Sequence, residues 1–190
     1  MRITILTLFP EVFKPILRTS ILKKAQEKKQ VVVHVVDIRE YAADNYKTVD
    51  DRPYGGGVGM VLRVDILHKA LSFQKKGYCI LLAPHGKRYT QKEAKSLAKK
   101  KHLILICGHY EGVDARIEEY VDEVISIGDY VLTGGEIPAM VLVDSVVRLL
   151  PGVLPAGATE TESFEKGLLE YPQYTRPKEF RGKKVPDVLL

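Results

Sequence analysis

Four charged residues that stand directly before a cluster of glycines are the first place where this sequence suggests chemistry. The charged set is Lys47, Asp50, Asp51 and Arg52, and the glycines are Gly55, Gly56, Gly57 and Gly59. Lysine and arginine can bind phosphates, and carboxylates can accept hydrogen bonds from N1–H and the amino group of guanine. The segment therefore predicts contacts to a nucleotide, although an ordinary charged surface loop explains the same residues.

The glycine cluster matches neither of the common phosphate-binding loops. It lacks the Lys-Ser/Thr ending that a P-loop needs. The first apolar run leads into Phe9, Pro10 and Glu11, whereas a dinucleotide-binding fold places a glycine-rich turn there. Close approach of the backbone to a ligand remains a reason for four glycines, and a tight structural turn is another.

Two further glycine-bearing loops follow apolar runs, at residues 108–112 and 128–135. Loops at the carboxyl ends of parallel strands are where such sheets hold ligands. With little side-chain bulk, these loops would present backbone N–H and C=O groups to a planar base. The five histidines are scattered, and no set with metal-ligand spacing accompanies the loops, so no metal site is predicted.

The loops must be positioned by strands and helices that alternate along the chain. Unbroken apolar, β-branched runs indicate strands buried on both faces at residues 3–9, 31–36, 79–83, 103–107 and 124–127. Helical signals are the spacing of Val12, Ile16, Leu17 and Ile21, a capping box from Thr90 to Glu93, and the stretch 137–150 between Pro138 and Pro151-Gly152. This alternation predicts an α/β fold with a mostly parallel sheet. Beyond Pro151 only Leu168 and Leu169 resemble core residues, which indicates a linker and tail.

Composition restricts the class of protein. With 190 residues, 45% apolar and 28% charged, the chain should form one main core with a small appendage. Its net charge of +5 favours a polyanionic partner, although a lysine-rich solvated surface is equally compatible. Cys79 and Cys107 lie inside apolar runs, so no disulfide is expected. The apolar start is too short for a signal peptide and no run can span a membrane, which predicts a cytoplasmic protein.

Several segments resemble, in order, motifs of the bacterial tRNA (guanine-N1)-methyltransferases of the SPOUT superfamily. They are 48–57 (TVDDRPYGGG), 107–114 (CGHYEGVD), 126–132 (SIGDYVL), 134–140 (GGEIPAM) and 174–177 (YTRP). One such motif could arise by chance, whereas this series in register along nearly the whole chain is not expected by chance.

The resemblance implies a fold that the residues alone do not predict: a parallel sheet with a deep trefoil knot, in residues 1–157, followed by residues 158–190 as a linker and the start of a truncated C-terminal tRNA-binding domain with a short helical tail. It also implies an obligate homodimer and S-adenosylmethionine (SAM) as cofactor, while nothing in the sequence argues for or against Mg²⁺. The implied cofactor contacts are Ala83, Pro84, Gly108, Tyr110, Glu111, Ser126, Ile127, Gly128, Asp129, Tyr130, Val131, Leu132, Gly134, Gly135 and Pro138. The implied tRNA contacts are Lys47, Asp50, Arg52 and His109.

The reaction that the resemblance implies is methylation of N1 of the guanosine 3′ of the anticodon, position 37. Glu162 is assigned to remove the N1 proton and Arg148 to stabilise charge on O6, although Asp144 four residues earlier could make Arg148 a plain surface ion pair. The chain departs from the family pattern at His109, where the family has arginine, and at Glu162, where the family has aspartate. It also stops at Leu190, before the family's basic helical region.

These departures leave a second function open. A dimeric module that binds SAM and RNA weakly but catalyses little would carry the same cofactor motifs. Methyl incorporation into tRNA separates the two functions.

Overall fold

A computed structural model describes residues 1–165 and 167–190 of the chain. These residues form two compact units, Met1–Ala156 and Gly157–Leu190. The elements of the first unit are β1 (Arg2–Thr7), α1 (Lys14–Leu17), α2 (Ser20–Glu27), β2 (Val32–Asp37), β3 (Asp50–Asp51), β4 (Val61–Leu62), α3 (Val64–Ser72), β5 (Tyr78–Arg88), α4 (Gln91–Ala98), β6 (His102–Cys107), β7 (Glu123–Ser126) and α5 (Glu136–Val147). Short 3-10 turns lie at Pro10–Phe13, Ile38–Tyr41 and Ala115–Tyr120.

Five strands form a parallel sheet in the order β2-β1-β6-β5-β7, which confirms the predicted α/β class. Alternate side chains of the central strands point to opposite faces, and both faces are covered. Ile5 and Leu105 pack on the side of α2 and α5, whereas Leu6 and Ile106 pack on the side of α3. The ends of β5, β6 and β7 are thereby fixed relative to one another.

Two strand predictions need correction. The run at 31–36 does form β2, but β2 lies at the edge of the sheet and Val32 is 44% exposed, so it is not buried on both faces. The run at 79–83 continues to Arg88, because the pairing with β7 shifts register: both Leu82 and Lys87 pair with Ile125. The intervening residues bulge out of the sheet, which Pro84 and Gly86 make easy.

The helical spacing near the N-terminus does not form one helix. A 3-10 turn, α1 and α2 divide it, and Ser20 takes a left-handed backbone conformation with φ 49°. A continuous helix cannot pass through such a residue. The other two helix predictions are confirmed: Thr90 caps α4 by accepting a hydrogen bond from Lys92 N–H and bonding Glu93, and α5 occupies most of 137–150.

The second unit contains an antiparallel pair of short strands, β8 (Glu179–Phe180) and β9 (Lys183–Lys184), and a 3-10 turn at Asp187–Leu189. The prediction that Leu168 and Leu169 are core residues is wrong, since each is 73% exposed and lies outside any helix or strand. In place of the predicted helical tail, the described residues show only the 3-10 turn after a hairpin. None of the helices in residues 1–165 and 167–190 is long and apolar enough to cross a membrane.

Candidate functional site

A cavity opens where the bulge of β5 and the carboxyl ends of β6 and β7 meet the start of α5. Its walls are three loops and the strand ends that carry them: Leu82, Ala83, Pro84, Gly108, His109, Tyr110, Glu111, Gly112, Val113, Ile125, Ser126, Ile127, Gly128, Tyr130, Val131, Leu132, Thr133, Gly134, Gly135 and Pro138. This is the edge of a parallel sheet where ligands bind. Glycine backbone and apolar side chains dominate the wall, as in sites for planar organic ligands.

All but one of the residues predicted to contact the cofactor line this cavity. The exception is Asp129, whose side chain is 89% exposed and lies 3.7 Å from the guanidinium of Arg88. Gly112 and Thr133, which also line the cavity, lie in the two loops predicted to hold a ligand, whereas Leu82, Val113 and Ile125 were not named as ligand contacts. Leu82 and Ile125 each adjoin a predicted contact at the end of a predicted strand, and Val113 belongs to the motif at 107–114; those positions were the only signal for them.

Gly135 allows α5 to begin against the end of β6. A Cβ atom at Gly135 would lie 2.6 Å from Cys107 Cα, and the Gly135 N–H donates to the carbonyl of Gly108 over 2.8 Å. Close contact between the backbone of Gly135 and that of Cys107 and Gly108 therefore forms the floor of the cavity.

The thiol of Cys107 takes no part in charge interactions at this floor. Burial and the nearby Glu136 carboxylate raise the pKa of the Cys107 thiol well above its usual range, so the thiol stays neutral.

Gly135→Ala is expected to lower the free energy of unfolding by about 1–3 kcal/mol, because the methyl group overlaps backbone that cannot move aside, and to weaken ligand binding in the cavity. Urea unfolding monitored by circular dichroism measures the first effect. Gly108→Ala is the matched control, since a Cβ there meets Val113 at an ordinary 3.5 Å. Equal stability of the two variants would contradict this account.

The loop at 108–112 has a conformation that costs energy. Tyr110 has φ 58° without being glycine, and its ring lines the cavity at 43% exposure. A strained residue of this kind persists only where its surroundings determine it, and such residues cluster at functional sites. In the neighbouring loop Ser126 Oγ donates to the carbonyl of Gly128 over 3.1 Å, which holds the turn.

The predicted RNA-contacting segment is hydrogen-bonded to this strained loop. The β3–β4 hairpin joins it through three backbone bonds: Glu111 N–H to Met60, Leu62 N–H to Gly112, and Asp114 N–H to Leu62, all between 2.9 and 3.0 Å. Lys47 and Arg52, which lie before and after β3, are exposed, and Asp50 within β3 is half-buried. The hairpin that carries the predicted RNA contacts is thus joined to the cavity loop by backbone hydrogen bonds.

His109 lies deeper than the other predicted tRNA contacts. It lines the cavity, its ring centroid is 4.8 Å from that of Phe9 and 4.9 Å from that of Tyr110, and its Nδ1 is buried with no hydrogen-bond partner. The resemblance grouped His109 with Lys47, Asp50 and Arg52 as a tRNA contact. Only the folded chain shows that it packs between two aromatic rings.

The two predicted catalytic residues do not line the cavity. Arg148 follows the last residue of α5, ten residues after Pro138, so it lies about 15 Å further along the helix axis than the cavity wall. Glu162 belongs to the unit Gly157–Leu190, is half-buried, and accepts a backbone hydrogen bond from Glu165 through its carbonyl. No three histidine, cysteine, aspartate or glutamate side chains converge as a metal site within residues 1–165 and 167–190.

Comparison with known proteins gives consistent matches over the full chain. The family model described as tRNA (Guanine-1)-methyltransferase TrmD matches residues 1–190. A Geobacillus kaustophilus protein named tRNA (guanine-N(1)-)-methyltransferase is 61% identical over 197 residues, covering 100% of this chain and 80% of that protein. A Dictyoglomus turgidum protein of the same name is 56% identical over 193 residues, covering 100% of this chain and 79% of that protein. A crystal structure described as tRNA (m1G37) methyltransferase from Aquifex aeolicus is similar with a TM-score of 0.85 and 40% identity, covering 100% of this chain and 82% of that one.

Proposed function

The chain belongs to the tRNA (guanine-1)-methyltransferase family and methylates N1 of guanine in tRNA, and we propose that SAM is its methyl donor and the guanosine at position 37 its target. The alternative of a SAM-binding module with little catalysis has no support, since the relatives that align across the whole chain are named as enzymes. A tRNA substrate implies the cytoplasm as the site of action.

One observation carries the cofactor proposal: fourteen of the fifteen residues predicted to hold SAM, contributed by separate strand ends and loops, form one cavity. Its glycine backbone at Gly108, Gly128 and Gly134 leaves room for a flat adenine and exposes N–H and C=O groups to it. Tyr110 and Pro138 add apolar contacts. Bound there, SAM would supply a methyl carbon carried on a positively charged sulfur.

The chain's own residues then act on the guanine. Asp50 accepts hydrogen bonds from the guanine edge and the glycine loop beside it lets the base approach, which orients N1. Glu162 accepts the proton that leaves N1, and the guanidinium of Arg148 donates hydrogen bonds to O6, where negative charge collects. Glu162 thus provides the proton acceptor and Arg148 provides the positive charge that stabilises O6.

The position of Arg148 supports a homodimer. Arg148 lies about 15 Å along α5 from its own cavity wall, so it can serve a reaction centre only in an assembly that brings another chain's cavity to it. An apolar face for such an assembly exists on α5 and on the adjoining segment that contains the first 3-10 turn and Phe9 before it: Phe9, Val12, Ile137 and Val141 are all more than a third exposed. We infer that this face joins two copies and that each contributes Arg148 to the other's site.

The tRNA contacts proposed for Lys47 and Arg52 predict a strong salt dependence. Each cation bound to a phosphate releases counterions, so the apparent Kd should rise linearly with salt on logarithmic axes. Lys47→Ala and Arg52→Ala should each reduce that slope by about one, as expected for one lost phosphate contact. Filter binding from 50 to 200 mM salt measures the slope. A Kd for tRNA that does not change with salt would refute these contacts.

The function is tested by methyl transfer from labelled SAM to a tRNA transcript with guanosine at position 37. Digestion to nucleosides and mass spectrometry should show N1-methylguanosine. The matched control transcript carries adenosine at that position and should remain unmethylated. Absence of N1-methylguanosine at enzyme concentrations above that of the tRNA would overturn the proposed function.

A further inference from the structure

Glu136 is a buried carboxylate directly behind the cavity, and the proposed mechanism gives it no role. It is the first residue of α5, follows the lining residues Gly134 and Gly135, and is 7% exposed. A buried carboxylate is costly unless it is hydrogen-bonded, and an apolar residue could fill the same volume. Its presence at a helix N-terminus lowers that cost, but this alone does not explain why a charge is placed there.

The first carboxylate oxygen of Glu136 joins α5 to the end of β1. Oε1 accepts a 2.7 Å hydrogen bond from the hydroxyl of Thr7, which is itself fully buried. The same hydroxyl accepts a 2.9 Å bond from the backbone N–H of Phe9. Thr7 therefore uses its hydroxyl as both donor and acceptor, and the chain leaving β1 is fixed relative to the start of α5.

The second oxygen lies against the place where two cavity loops meet. His109 and Gly134 form an antiparallel bridge. A Cβ built at Gly134 would lie 2.4 Å from Glu136 Oε2 and 2.7 Å from His109 Nδ1, so these two side chains occupy the space that a side chain at Gly134 would need. The buried Nδ1 without a hydrogen-bond partner is on this side as well. Glu136 Oε2 and His109 Nδ1 therefore both lie beside Gly134, the residue through which loop 128–135 pairs with loop 108–112.

We propose that Glu136, held by Thr7, is a positioning residue for the cofactor: it fixes the Gly134 turn and the His109 ring in the geometry that binds SAM. The proposal rests on the proposed function, since it concerns the same cavity. It assigns Glu136 no contact with the reacting atoms. Loss of the pair should therefore affect binding of SAM and leave the chemical step largely intact.

Variants of the pair test the proposal through the Kd for SAM, the KM for SAM, kcat and Tm. Glu136→Ala and Thr7→Val should each raise the Kd and KM for SAM by about tenfold, the effect of one lost buried hydrogen bond, with little change in kcat at saturating SAM. Thr7→Ser keeps the hydroxyl and should bind SAM like the wild type. The double variant should bind no more weakly than Glu136→Ala, because both changes remove one interaction.

Tyr89→Phe is the matched structural control. It removes a 2.7 Å hydrogen bond between Tyr89 and Ser145, which lies on the same helix away from the cavity. It should lower the Tm but leave the Kd for SAM unchanged. If Glu136→Ala and Thr7→Val behave like Tyr89→Phe, their role is merely structural and the proposal is overturned.

Two further outcomes keep the test decisive. If Glu136→Ala does not fold, Thr7→Val and Glu136→Gln are compared with the wild type instead. Glutamine preserves the shape of the side chain and one acceptor oxygen, so Glu136→Gln should raise the Kd for SAM by less than tenfold. A wild-type chain that does not bind SAM overturns the proposed function and this proposal with it. Equal SAM binding by the wild type and all folded variants overturns the positioning role alone.

Discussion

Glu162→Gln is expected to slow single-turnover methylation of tRNA by about 10²–10⁴-fold, the contribution of a well-placed general base. N1 of guanine gives up its proton reluctantly, and glutamine has the size of glutamate but cannot take up that proton. The Kd for SAM should stay at the wild-type value, because the cavity lies within Met1–Ala156 and Glu162 lies outside that unit. Rapid-quench measurements with enzyme in excess isolate the chemical step.

Neighbouring acids provide the controls for this prediction. Glu160→Gln and Glu165→Gln change the same charge in the same segment and should leave the rate close to that of the wild type. Glu162→Asp should change the rate without abolishing it, because a shift of about 1 Å in a catalytic group can cost on the order of 10²-fold. If Glu162→Gln methylates as fast as the wild type, another group takes up the proton.

Arg148→Ala is expected to lower kcat by about 10²–10³-fold, the usual effect of removing one donor to a developing oxyanion. Arg148→Lys keeps the positive charge but loses the planar fork of donors, so it should recover only part of the rate. The KM for SAM should not change, because Arg148 is not in the cavity wall. Steady-state kinetics of both variants measure these effects.

Mixing two impaired variants, at a SAM concentration too low for Gly135→Ala to bind it, tests whether Arg148 acts across a dimer. In a heterodimer of Arg148→Ala with Gly135→Ala, the first chain keeps an intact cavity and the second keeps its arginine. If each chain serves the other's cavity, random mixing should restore roughly a quarter of the wild-type activity, since half the dimers are mixed and each has one complete site. If the arginine serves its own chain, no activity returns, and the proposed dimeric site is wrong.

The sequence by itself determined much of the fold because its signals are local. Unbroken apolar runs predicted the five strands of the parallel sheet, and glycines after two of those runs marked two of the loops that form the cavity. The order of the motifs along the chain identified the family, because that order can be read without knowing the fold. The capping box at Thr90 was also readable, as a helix start depends on residues within one turn.

Only the tertiary structure decided which groups face one another. The continuation of β5 to Arg88 depends on pairing with β7, a partner nearly forty residues away. Asp129 and Tyr130 are adjacent in sequence, yet one side chain points to solvent and the other lines the cavity. Glu136 reads as an ordinary first-turn acid until Thr7, 129 residues earlier, is seen to donate to it. Such contacts join residues far apart in the chain, and local patterns contain no information about them because long-range packing alone brings those residues together.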